Sequence, residues 1–353
     1  MLETLALSGR LAKRFVEDIP QTSGQPSVAL LILALVNFVV FLPVFLILFY
    51  TLHYVYPTLA AVEDPLPAYE SLAMNDDAGS QPKGDGGPAP TARLGVPVTA
   101  SLCATSRLIR SLGGWLANFR GLGYSLLIGI LTCLAIMFFA ALPFVPGPVA
   151  HLLALLVVAP LSATWTHLVV TRPSASPFTQ RIPALKKAYR ATWLPTVLVW
   201  AALNACAYLP MLLARLVGLE LPDPDQPDQV ELPAGPDAGK ALAVVAVFLA
   251  LQALLYVPAH TALIRVQASL LPPDEDTVVP FDRSFGGRVE PELVTGKGFA
   301  TFGAAVKSVT RDSWLRIYLL RLKLFAVSVA IYSVIIFVVA LEAVLVSVLR
   351  GGQ

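Results

Sequence analysis

The chain has 353 residues, of which 56% are hydrophobic and 14% charged, and its mean hydropathy is +0.71. A soluble protein carries roughly 25% charge, so a soluble globular fold, which would have to hide this much apolar surface, is excluded. A formal net charge of +2 supplies no basic field for nucleic acid, and three cysteines, Cys103, Cys133 and Cys206, cannot form the disulfide framework of a small secreted domain and are expected to be free thiols.

A bilayer core of about 30 Å takes about 20 helical residues. Six nearly uncharged stretches meet that demand, at 27–52, 122–143, 149–170, 195–217, 240–264 and 322–349. The fold class is therefore expected to be all-α: a polytopic membrane protein of about six transmembrane helices with basic interfacial helices. The segment 1–26 precedes an apolar run longer than the roughly 7–15 residues of a cleavable signal, so that run is expected to remain as the first span. Residues 143–148, PFVPGP, forbid a continuous helix and predict a tight hairpin between the second and third spans.

The loops set the orientation, because Lys and Arg are retained in the cytoplasm. Loop 171–194 holds Arg172, Arg181, Lys186, Lys187 and Arg190 with no acid, whereas loop 218–239 holds six acids and no base. With loop 53–121 and the seven bases from Arg265 to Arg316 included, one side carries 17 bases and the other carries four, Arg10, Lys13, Arg14 and Arg350. Both termini are thus expected outside the cytoplasm, with the N-terminal trio dissenting.

Residues 63–97 are rich in Pro, Gly, Asp and Ala, too polar to repay ordering, and are expected to form a disordered cytoplasmic linker. Within it, Leu66, Pro67, Ala68 and Tyr69 resemble the L-P-x-Y variant of the PY motif bound by WW domains of ubiquitin ligases. Such domains clasp a polyproline II segment in an aromatic groove, which is why a Pro and a Tyr two residues apart suit them. Lys83 stands nearby as a ubiquitin acceptor.

At an offset of 121 residues, FTQRIPALKKAYRATWL (178–194) matches FATFGAAVKSVTRDSWL (299–315) at six of 17 positions. Each copy precedes a span and sets Lys and Arg four apart: Lys186 (with Lys187) and Arg190 before Trp193, then Lys307 and Arg311 before Trp314. The pattern predicts interfacial helices whose cations meet anionic lipid headgroups and whose Trp sits at the membrane boundary. The plain alternative is that these bases serve orientation alone. A third basic stretch, 106–120, has the same chemistry without that spacing.

No phosphate-binding loop, nucleophile elbow, H-E-x-x-H or paired C-x-x-C occurs, so no enzyme activity, cofactor or metal is expected. His53, His167 and His260 fall near cytoplasmic ends of spans and would hold a metal only if the fold gathered them. Glu342 is an acid within a span, a functional hypothesis by default, yet its depth puts it near the far interface. Asn37, Asn204 and Gln252 are expected to hydrogen bond between helices. Pro43, Pro160, Pro210 and Pro258 could break helices as in secondary transporters, which is a weak signal.

The stretches VEDPLPAYESL (62–72) and SLLPPDEDTVVPFDRSFGGRVEP (269–291), the latter followed by Lys307 to Trp314, resemble multi-pass membrane proteins of filamentous fungi. Members are sometimes labelled ubiquitin carrier or conjugating proteins. The resemblance implies a multi-pass membrane protein; the residues speak against the label as an activity, because a conjugating enzyme needs a reactive cysteine in a soluble α/β domain, and here Cys133 and Cys206 lie in spans and Cys103 beside one.

Overall fold

A computed structural model describes residues 28–64, 97–173, 182–219, 235–272, 275–287, 289 and 298–351. Among them regular structure is helical, apart from one isolated bridge between Thr171 and Thr277. Six helices are long and apolar enough to cross a membrane, as expected of an all-α polytopic protein.

Helix α1 consists of Val28–Leu46, a π-helical stretch Ile47–Val55 and a last α-helical part Tyr56–Val62. A short helix, α2 (Leu102–Gly113), and a 3-10 turn, Trp115–Phe119, lead into α3 (Leu122–Ala140) and α4 (Gly147–Val170). Next come α5 (Leu185–Leu216) and α6, which runs Pro236–Leu251, π-helical Gln252–Tyr256 and Val257–Ser269. The chain ends with short α7 (Phe302–Lys307) and long α8 (Arg311–Gly351).

Both π stretches have a local cause. Pro57 and Pro258 stand just beyond them, inside continuing helix. Proline lacks the N–H that would reach the carbonyl four residues back, and its ring collides with that carbonyl. Widening the preceding turns relieves the collision without ending the helix. Pro43, Pro160 and Pro210 are likewise inside helices that continue past them.

Several helices outrun the spans expected from hydropathy. α1 continues ten residues past 52, and its last turns are buried. The first basic copy is not a separate interfacial helix: residues 185–194 are the opening turns of α5, since nothing between Lys186 and Leu194 stops a helix. The second copy is broken. α7 ends at Lys307, and Thr310 starts α8 by accepting the N–H of Ser313 on its hydroxyl at 3.2 Å. Lys307 and Arg311 therefore belong to different helices and share no helical face. The unrepeated stretch supplies the stand-alone amphipathic helix instead: α2 buries Thr105 and Ile109, exposes Arg107 and Arg110, and ends at Gly114 with φ +67°.

The chain divides into two compact units, one ending at Phe49 and resuming at Leu322, the other Tyr50–Arg321. In the first, the Asn37 amide donates to the Glu342 carboxylate, and Phe49 meets Tyr332 edge-on at 6.1 Å. In the second, α4 is the most enclosed span, and its buried face, Ala150, Ala154, Val158 and Ala159, is nearly all small. A cluster of Ala163, Ala188, Ala191, Ala262, Ala300 and Ala305 with Val266, Leu270 and Phe285 continues this logic. Lipid gives helices no hydrophobic reason to associate, so close backbone approach over small residues carries the packing. Polar pins add to it: the Gln267 side chain accepts from Thr166 at 2.6 Å and donates to Ser162 at 3.1 Å, and its carbonyl meets His167 Nε2 at 2.8 Å. Asn204, expected to bond between helices, donates its amide instead to the Trp200 carbonyl one turn back in α5, at 2.8 Å.

Candidate functional site

The linker expected over 63–97 is folded at both of its margins, and those margins build an ion-paired site in the second unit. Glu63 caps the C-terminus of α1 in extended conformation and is 2% exposed. Its carboxylate accepts the N–H of Val98 at 2.6 Å and of Thr99 at 3.0 Å, the Thr99 hydroxyl, and Arg316 Nη1 at 3.1 Å. Arg316, from the start of α8, also donates to the carbonyl of Glu63 at 2.5 Å and of Ala60 at 3.4 Å, satisfying acceptors that every helix end leaves open.

The next residue repeats the device with another helix. Asp64 receives a two-pronged contact from Arg265 of α6, at 2.9 and 3.3 Å. Such a fork-to-fork pair fixes orientation as well as charge. Arg265 is 2% exposed, donates to the Ala61 carbonyl at 3.0 Å and the Ser308 hydroxyl at 3.2 Å, and lies 5.7 and 5.1 Å from the rings of Phe281 and Phe285.

The strap 275–287 closes the base. Val278 N–H bonds to the Val170 carbonyl at 2.8 Å and Arg172 N–H to the Asp276 carbonyl at 2.8 Å, which ties the strap to the end of α4. Asp64 N–H bonds to the Pro280 carbonyl at 2.9 Å, and the Asp64 carboxylate accepts the N–H of Asp282 at 3.0 Å. Phe285, Gly286 and Gly287 have φ of +54°, +67° and +75°, a left-handed turn that glycine takes at no steric cost and Phe285 takes only because its ring is buried beside Arg265. Asp282 organises that turn by accepting the N–H groups of Ser284 and Gly286, at 2.8 and 2.7 Å. Desolvation opposes its charge, but the Ser284 hydroxyl, these N–H groups and nearby Arg265 outweigh it and hold its carboxyl below the usual range.

Chemically this site is a clamp. The Glu63 carboxylate accepts four donors and the Asp64 carboxylate is held by a guanidinium and an N–H, so both are committed to holding the chain. What the clamp does is bring Asp64 and Val98, the two margins of segment 65–96, to one ion-paired base.

The sequence-expected residues are placed differently. Leu66, Pro67 and Tyr69 lie outside the described residues, as do Lys83, most of the acidic loop and the first residues of copy 178–194. Lys186 and Arg190 are exposed on α5, with Lys187 half-buried and Trp193 53% exposed. Lys307 and Arg311 are exposed, and Trp314 packs on Tyr318 at 6.2 Å between centroids. The three histidines are not gathered into one set: His260 meets Arg321 and His53 lies within reach of the same guanidinium, whereas His167 faces Gln267. No group of three or more His, Cys, Asp or Glu among the described residues could hold a metal ion. Cys103 and Cys133 are exposed and Cys206 is buried, all as free thiols. A cavity lined by Val55, Leu59, Ile109 and Arg120 has about 10 Å³, room for one water.

Glu63, Asp64, Arg265 and Arg316 were not among the residues expected from sequence, where they fall in loops. The signal was present in the adjacent acids at the very end of an apolar run and in two arginines bordering others. No protein-family model, curated protein or solved structure matches this chain.

Proposed function

We propose that this integral membrane protein is a non-enzymatic adaptor that presents segment 65–96, with its Leu66-Pro67-Ala68-Tyr69 motif, to a WW-domain ubiquitin ligase or trafficking partner. The observation that carries the reading is the clamp. Both margins of the segment, at Asp64 and at Val98 with Thr99, are held on one buried base. The motif begins two residues beyond Asp64. Fixing both margins shortens the loop the segment has to close, so ordering the motif on a partner costs less than it would on a free tail. The fungal resemblance, with its ubiquitin-related labels, agrees with recruitment of a ligase rather than with conjugation by this chain.

The test is capture of the purified full-length chain by an isolated WW domain. Tyr69→Ala should abolish capture, and Tyr69→Phe should weaken it less. Capture unchanged by Tyr69→Ala refutes the reading.

A further inference from the structure

The second unit has one more arginine close to its ion pairs, and it is balanced differently. Arg265 and Arg316 are matched by Asp64 and Glu63, whereas Arg321 has no carboxylate within ion-pair distance among the described residues. Its guanidinium donates from Nη2 to His260 Nδ1 at 3.3 Å and lies 5.6 Å from the centroid of Tyr256, which itself stacks on His260. Arg321 Nε is buried with no hydrogen-bond partner. A guanidinium carries five donors and keeps its charge, so an aromatic ring and an imidazole leave that charge and its Nε donor unmet.

Its place along the helix is the margin of the apolar run. Arg321 stands ten residues into α8, where the long apolar run begins, and His260 and His53 each stand nine residues from the ends of their helices. At 1.5 Å per residue that is about 14–15 Å below the helix ends in all three. His53 lies within electrostatic reach of Arg321. Around the cluster Tyr54, Leu254, Leu255 and Leu319 are exposed apolar surface, which in a membrane protein faces acyl chains. Both π stretches converge here, one carrying His53 and Tyr54 and the other Tyr256. The Ala253 carbonyl, within the second, accepts the Tyr318 hydroxyl at 2.8 Å. Local π geometry recurs where a helix departs from regularity for function.

We propose that Arg321, with His260, Tyr256 and His53, forms a binding site for the phosphate of an anionic membrane lipid. The phosphate would supply the charge that Arg321 lacks and accept its spare donors, while the lipid's chains would lie along Leu254, Leu255 and Leu319. A basic pocket between spans at the headgroup level is the arrangement that suits such a ligand.

The experiment uses the full-length chain in non-ionic detergent and measures binding of dioctanoyl phosphatidic acid, dioctanoyl phosphatidylcholine and inorganic phosphate by native mass spectrometry. Phosphatidic acid should bind in preference to phosphatidylcholine. Arg321→Gln should weaken it by about tenfold, the scale of one charge-assisted contact, and Arg215→Gln, at an exposed position of α5, should leave it unchanged. Equal binding of the two lipids by the wild type, or equal phosphatidic acid affinity in Arg321→Gln, overturns the proposal. Displacement of the lipid by inorganic phosphate at equal concentration overturns its assignment to a lipid. If Arg321→Gln does not fold, Arg321→Lys replaces it: this variant keeps the charge and loses the fork, so affinity should still fall, and an unchanged affinity again refutes the site.

Discussion

Removing Arg316 tests whether the buried charge pair holds the base of the second unit together. Arg316 and Glu63 are 7% and 2% exposed and 3.1 Å apart, so Arg316→Met strands a carboxylate away from water. Breaking a buried pair in this way costs about 3–5 kcal/mol. Three donors remain on Glu63, from Val98 N–H, Thr99 N–H and the Thr99 hydroxyl, which draws the cost toward the lower bound. Against that, the carbonyls of Ala60 and Glu63 lose their donor, at about 1 kcal/mol each. The expected loss is thus about 5 kcal/mol. In Glu63→Gln/Arg316→Met the stranded charge is gone and the carbonyl loss remains, so the double variant should lose only about 2 kcal/mol, about 3 kcal/mol less than Arg316→Met alone. Reversible denaturant unfolding in mixed micelles, followed by tryptophan fluorescence and far-ultraviolet dichroism with a constant slope, measures both. A double variant as unstable as Arg316→Met alone refutes the argument from buried charge.

Three further outcomes follow from local geometry. Glu63→Ala should strip hydrogen-exchange protection from the Val98 and Thr99 amides while leaving the centre of α4 protected; retained protection there would show that the carboxylate does not hold the margin. Because the folded Asp282 carboxyl titrates below its ordinary value of 3.8, its stabilisation of the strap is complete above that value and fades as pH falls through the lower folded one, so Asp282→Asn should remove this acid limb from the exchange of the Ser284 and Gly286 amides, and an unaltered acid limb refutes the assignment. Gly121 has φ +77°, and a Cβ there would stand 3.0 Å from the Tyr50 hydroxyl and 3.3 Å from Trp165 Nε1, so Gly121→Ala should cost about 1–2 kcal/mol in the same unfolding assay, and a neutral effect would refute the close approach.

Hydropathy by itself determined that this chain is an all-α protein with six helices apolar enough to span a membrane. That is legible because the cost of placing a residue in lipid is local and sums along the chain, as in the uninterrupted runs 122–143 and 149–170. The same property blinds it to the ends of helices. Past residue 52, α1 turns more polar, yet it stays helical because Tyr56–Val62 are buried by protein rather than by lipid. Composition likewise marked 63–97 as too polar to order, whereas Glu63 and Asp64 are ordered by tertiary contact. Their partners Arg316 and Arg265 stand 253 and 201 residues away, so no window of sequence contains both halves of either pair. The repeated Lys and Arg read as one face on both copies; the Thr310 cap splits the second, a decision taken by hydrogen bonding at a single residue. The uncompensated charge of Arg321 is visible only once the folded chain has matched Glu63 and Asp64 with other arginines, because compensation of charge belongs to neighbours in space.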